Sequence, residues 1–173
     1  MIVDLTTPKG QEYLNQAIDA ATKLMSRVNA EEVRELRPED LGLSDYYLQP
    51  DSNVDAGSTG YETISRKVEN RSGIVIYGIA YPGASSNSRI RYVEIYVGTT
   101  MIAKYPILHV ESFRSKEGVW KPISFEQSDD VTIKVLFENL DSAAAHTPAE
   151  MRLQAYFLGY AVGPAGFKTA SKE

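Results

Sequence analysis

Val131-Thr132-Ile133-Lys134-Val135-Leu136-Phe137-Glu138 is the stretch on which the fold class turns. Val131, Ile133, Val135 and Phe137 recur at every second position, and Thr132, Lys134 and Glu138 fall between them. A β-strand sends successive side chains to opposite faces, so this period marks a strand with one buried face and one wet face. The same period returns upstream, where Val93, Ile95 and Val97 oppose Tyr92, Glu94 and Tyr96, and again in Ile64 and Val68. Residues 74–81 are apolar on both faces, which predicts a central strand. Gly98-Thr99-Thr100 joins this region to residues 101–105 as a hairpin, and Pro106 assigns the second arm to a sheet edge or a bulge. The strand is expected to continue over 107–111. Further strands are expected around the turn Lys116-Glu117-Gly118, over 120–125, and over 151–162 after a small-residue loop at 141–148. Seven or eight short strands with no helices between them leave no crossover for parallel pairing. The expected fold is therefore mainly β, an antiparallel jelly-roll-like β-sandwich occupying residues 61–173.

Residues 1–60 read differently, as an N-terminal amphipathic helix followed by an extended arm. Thr7 has the character of an N-cap, with Pro8 at the first helical position. Leu14, Ile18, Ala21, Met25 and Val28 then recur at spacings of four, three, four and three, which places them in one stripe of a helix. Asn29 and Glu32 have the form of a capping box, with Val33 and Leu36 as a short second apolar face that Arg37-Pro38 ends. Leu41, Leu43, Tyr46, Tyr47 and Leu48 form an apolar cluster in an otherwise irregular arm, which must dock to hide them. The stripe and this cluster are the candidate interface, packing either on a neighbouring subunit or on the chain's own sandwich: Leu14, Ile18, Met25, Leu41, Leu43, Tyr46, Tyr47 and Leu48. Residues 50–60 carry turn formers and read as a linker.

Composition narrows the function classes. A net charge of −5 argues against general nucleic-acid affinity and against adsorption to anionic membranes. There is no apolar run near the ~20 residues of a membrane span, and residues 1–10 lack the pattern of a signal peptide, so a soluble, intracellularly made protein is expected. With no cysteine, disulfides, thiolate metal sites and thiol catalysis are excluded.

Candidate chemistry is sparse. Asp51, Asn53 and Asp55, with Glu62 at the twelfth position, match the spacing of a calcium loop. Ala56 stands where the sharp turn needs glycine, and helices do not flank the segment, so a solvated Asp/Asn turn is the better reading. His109, in an apolar strand, and His146, in an Ala-rich loop, lack ligand spacing. Ser85, Ser86 and Ser88 have no nucleophile elbow around them. Glu94, Glu111 and Glu126 are expected on strands, where two carboxylates could in principle act as a glycosidase pair. Tyr46, Tyr47, Tyr92, Tyr96 and Trp120 could form a sugar-stacking platform or anchor a protein interface. No catalytic residue, cofactor or metal site is expected.

The segment Met151-Arg152-Leu153-Gln154-Ala155-Tyr156-Phe157-Leu158-Gly159-Tyr160 ends a final strand in Leu-Gly-Tyr before a Gly-containing tail. With the N-terminal helix and arm, the strands over 88–97 and 101–111, and Trp120-Lys121-Pro122-Ile123, it resembles small jelly-roll decoration (cement) proteins of tailed-bacteriophage heads. That resemblance implies a non-enzymatic capsid protein on the outer surface of the head, commonly a trimer. Its partner would be the major capsid protein, and it would be assembled in the host cytoplasm. A carbohydrate- or receptor-binding jelly-roll module is the alternative expectation, and a sandwich-fold glycosidase the third.

Overall fold

The computed structural model describes residues 1–167 and 170–172. Helix α1 (Pro8–Arg27) lies between β1 (Val3–Asp4) and β2 (Glu32–Glu35), and β3 (Tyr47–Leu48) follows in the arm. The remaining strands are β4 (Thr59–Val68), β5 (Gly73–Ala80), β6 (Ser88–Val97), β7 (Thr100–Pro106), β8 (Glu117–Phe125), β9 (Asp130–Asn139), β10 (Leu153–Gln154), β11 (Tyr156–Gly163) and β12 (Ala170–Lys172).

The pairing is nested. β6 pairs with β7, β5 with β8, β4 with β9, and β2 with β11, all antiparallel. These four pairs alternate between two sheets, ordered β1-β8-β5-β11-β2 (sheet 1) and β12-β4-β9-β6-β7 (sheet 2). A ribbon of nested hairpins rolled into two facing sheets is the jelly roll. The mainly β, antiparallel sandwich behind an N-terminal helix is thus the architecture of the chain. β3 and β10 form a separate two-stranded sheet.

The inner faces make the core. Val131, Ile133, Val135 and Phe137 of β9 are all buried there, with Trp120, Phe125, Ile76 and Tyr81 from sheet 1 and its margins. β5 lies at the centre of sheet 1 and is buried along its whole length, because α1 covers the face that does not meet sheet 2. β7 lies at the edge of sheet 2 and ends in Pro106, where no ladder donor is needed.

Thr7 caps α1, its Oγ1 accepting from the Gly10 N–H at 3.1 Å. The buried face of the helix is Tyr13, Ala17, Ala21 and Leu24, continued by Val28 just past its end and seated on Val75, Tyr77, Val119 and Val162. This differs from the expected stripe: Ile18 is 47% exposed, and Leu14 and Met25 are only partly buried. The sheet selects the face. Ala17 and Ala21 let the helix backbone come close, and a Cβ on Gly73 would stand 2.5 Å from the Leu24 side chain, so bulkier Ile18 is turned out.

Other expectations change for similar reasons. Residues 32–35 are strand β2 rather than a helical turn, because β11 offers them a ladder. Residues 107–111 leave the sheet after Pro106 into a 3-10 turn, Leu108–Ser112, which carries His109. Glu117-Gly118 opens β8 rather than forming a hairpin turn. Residues 151–162 divide into a 3-10 end, β10 and β11. The segment 50–60 is held down, with Val54 buried and bridged to His146 through both backbone hydrogen bonds, each 3.0 Å. In the arm, Leu41 and Leu48 are fully packed into the sandwich core, and Leu43 packs partly against it. Residues 1–60 therefore supply two strands, a helix and core side chains to the sandwich that the later described residues complete. Gly159 is a point of close packing at a bulge: a Cβ there would lie 2.1 Å from the Val75 carbonyl oxygen.

Candidate binding groove

The outer face of sheet 1 is only partly covered by α1. Beside the helix lies an open groove of about 820 Å³. Its floor is Tyr156, Leu158 and Tyr160 of β11 with Tyr77 of β5. Leu14 of the helix and Leu5 before it form one wall, and Tyr46, Tyr47 and Gln154 from the β3–β10 region form the other. The alternation of β11 places its Tyr156, Leu158 and Tyr160 on one face. Tyr77 and Tyr160 stack with ring centroids 6.0 Å apart and planes 12° from parallel, and Tyr46 meets Tyr156 edge-on at 5.1 Å. Such offset and edge-to-face pairs fix ring orientation beyond simple burial. Tyr47 is backed by the Arg152 guanidinium, 4.1 Å from its ring centroid, and Arg152 is held in turn by Asp45.

Two carboxylates border the groove, Glu35 on β2 and Glu117 on β8. Glu35 lies opposite Tyr160, whereas Glu117 lies two strands from Tyr156 in the row Glu117–Ala80–Tyr156. They are thus four residues apart along β11 and three strands apart across the sheet. Strand geometry makes that on the order of 13 Å by 14 Å between backbones. A hydrolytic pair of carboxyls needs to stand roughly 5–9.5 Å apart, so these two do not have that geometry. Burial, reinforced by Asp4, pushes the Glu117 carboxyl up. Burial also raises the Tyr77, Tyr156 and Tyr160 phenols, with the two glutamates adding to the shift at Tyr77 and Tyr156 and Glu35 at Tyr160, so the hydroxyls remain neutral.

Of the candidate interface residues, Tyr46, Tyr47 and Leu14 meet in this groove. Ile18 and Met25 lie elsewhere on the helix surface, and Leu41, Leu43 and Leu48 are committed to the sandwich. The five aromatics expected as a platform do not form one. Trp120 is sealed in the core, stacked on Tyr105 at 4.3 Å, because its β8 position points inward. Tyr92 and Tyr96 lie on the outer face of sheet 2 beside Lys104 and Lys134. Tyr77, Tyr156 and Tyr160 were not singled out by the sequence. Alternation through 156–160 signals the β11 pair, but Tyr77 hides in a strand that is apolar on both faces.

The other candidates are structurally engaged. Asp51 accepts from the Thr63 N–H at 2.9 Å and Glu62 from the Gln49 N–H at 3.1 Å, tying residues 49–51 to β4. Among the described residues no group of three or more His, Cys, Asp or Glu is arranged to hold a metal ion, including Asp51, Asp55 and Glu62. Burial, with Asp51 and Asp45 nearby, pushes the Glu62 carboxyl up to about 7. Glu94 is paired with Lys104, Glu111 accepts from the Tyr81 hydroxyl at 2.9 Å, and Glu126 is paired with Arg27. His146 Nε2 lies 2.9 Å from Asp141 Oδ2, and that contact, with Glu150, raises its pKa. Ser88 is buried and donates to the Met151 carbonyl at 3.0 Å.

No family model and no curated protein matches the chain. A solved structure with similarity to it is a family GH115 4-O-methyl-alpha-glucuronidase, BtGH115A, with specificity for decorated arabinogalactans. The similarity is 10% identity at a TM-score of 0.23, over 73% of this chain and 16% of that one, which carries no argument. No helix among the described residues is long and apolar enough to cross a membrane.

Proposed function

We propose that this chain is a non-enzymatic structural protein of a viral capsid, a homotrimer that binds the outer surface of the head and bridges major-capsid subunits. The observation that supports this reading is the groove itself. Its walls are the N-terminal helix and the arm, the segments expected to grip a neighbour, and they hold Tyr46 and Tyr47 at 48% and 41% exposure. Exposed, ring-locked tyrosines are typical anchors of protein interfaces because they bury large area at little entropic cost. Purified protein mixed with undecorated heads should bind saturably, and the Tyr46→Ala/Tyr47→Ala variant should bind roughly tenfold or more weakly. Absence of saturable binding by the unaltered protein would sink the reading.

A second reading, a carbohydrate- or receptor-binding module, is favoured by one feature of the same groove. Tyrosine faces there lie beside Gln154, Glu35 and Glu117, which can hydrogen-bond hydroxyl groups. Glycan-array binding lost in Tyr46→Ala/Tyr47→Ala would select this reading over the first.

A further inference from the structure

The two groove glutamates are not among the carboxylates that hold a basic side chain. Glu12, Asp19, Glu31, Glu94, Glu126 and Glu138 each have a basic partner. Neither the Glu35 nor the Glu117 carboxylate has a hydrogen bond or ion pair to any described residue. No Lys, Arg or His lines the groove, so its charge is two negatives at opposite ends of an electron-rich tyrosine floor. Glu35 is exposed and Glu117 half-buried, so both carboxylates are reachable by a ligand cation at the groove.

The fold already shows what such a surface accepts. Arg34 lies 4.5 Å from the Phe167 ring centroid while donating to both Asp40 oxygens at 2.6 and 2.7 Å. Arg152 repeats the arrangement on Tyr47 with Asp45. A planar guanidinium can stack on a ring and pair with a carboxylate at once, which an ammonium does less well.

We propose that the groove binds an extended polypeptide segment of a partner protein that presents two arginines, one to Glu35 and one to Glu117. The spacing follows from the sheet. The glutamates are on the order of 15–20 Å apart at the backbone, and an extended segment advances about 3.3 Å per residue, so the arginines are about five residues apart. This proposal rests on the protein-partner reading and specifies its chemistry.

The probe is a capped six-residue peptide with arginine at each end and glycine and serine between, titrated calorimetrically into the full chain. Saturable binding that weakens at least tenfold in Glu35→Gln/Glu117→Gln, and falls with added salt, is the expected result. Both substitutions are at groove positions outside the core, and circular dichroism of the variant checks that it folds. Absence of binding to the unaltered chain, equal binding by the variant, or equal binding of a peptide with its arginines replaced by glutamine overturns the proposal. So does saturable binding of a neutral oligosaccharide that the arginine peptide cannot displace.

A parallel assay on undecorated heads separates the two claims. If the unaltered chain and the variant bind heads equally, the arginine proposal fails and the capsid reading stands. If neither binds heads, the capsid reading fails, and peptide binding alone decides the proposal.

Discussion

The two sheets meet the core with similar faces and turn very different faces outward. On sheet 1, Val75, Val119 and Val162 lie beneath α1, and the rest of that face forms the tyrosine groove. On sheet 2, no α-helix covers the outer face among the described residues. Its cross-strand rows run Tyr61–Leu136–Tyr92 and Thr63–Lys134–Glu94–Lys104. There, lysine ammoniums lie over tyrosine rings, Lys104 at 4.6 Å from Tyr92 and Lys134 at 5.1 Å from Tyr96, and Glu94 is paired with Lys104. Sheet 2 thus satisfies its own charges and rings in water. The groove of sheet 1 pairs its tyrosine rings with one another or with Arg152 but leaves two carboxylates without a basic partner, which is why binding is assigned to that side.

The comparison can be broken most sharply under the helix. Leu24→Ala should cost about 2–5 kcal/mol by chemical denaturation, since it empties a buried site above Gly73. A loss under 1 kcal/mol would show that α1 is not integral to sheet 1.

The next effect concerns the strap that holds the arm beside the groove. The Glu62 carboxyl is raised from 4.5 to about 7 in the folded protein, so the folded state binds the extra proton between those values. Its contribution is therefore fully present below about pH 4.5 and lost as pH rises toward 7. Relative to Glu62→Gln, the unaltered chain should lose thermal stability across that window. Parallel melting curves for the two proteins would remove this role from Glu62.

Thr7→Ala should cost about 1 kcal/mol through the lost cap, again by denaturation. Lys134→Ala, on the bare face of sheet 2, should change stability by no more than about 0.5 kcal/mol. A larger loss there would mean that the lysine–tyrosine ladder is a structural layer in its own right.

Much of this was legible in the chain. Val131 to Phe137 and Val93 to Val97 are strands because their period matches the pleat, and Thr7-Pro8 starts the helix because a cap needs only local atoms. The burial of 74–81 on both faces correctly implied a central strand, although not that a helix supplies the second cover. Residues 32–35 could not be assigned locally, since four residues without strong alternation become a strand only when β11 offers a ladder. The groove was half legible. Tyr46 and Tyr47 stood out in the arm, but Tyr77, Tyr156, Tyr160, Glu35 and Glu117 are brought together by pairings across up to 125 residues of sequence, Glu35 with Tyr160 being the longest.

By itself, then, the sequence determined the class of the fold, its most regular strands and the start of its helix, because hydrophobic period, proline and capping act over a few neighbouring residues. Tertiary structure alone decided which side of α1 is buried, where the arm goes and which aromatics face a partner. Those outcomes depend on close packing between distant segments: Ala17 and Ala21 against Val75 and Val119, Leu41 and Leu48 within the core, and Trp120 turned inward while Tyr46 and Tyr47 remain out. No local pattern encodes them, since each is a competition for one surface among residues far apart in the chain.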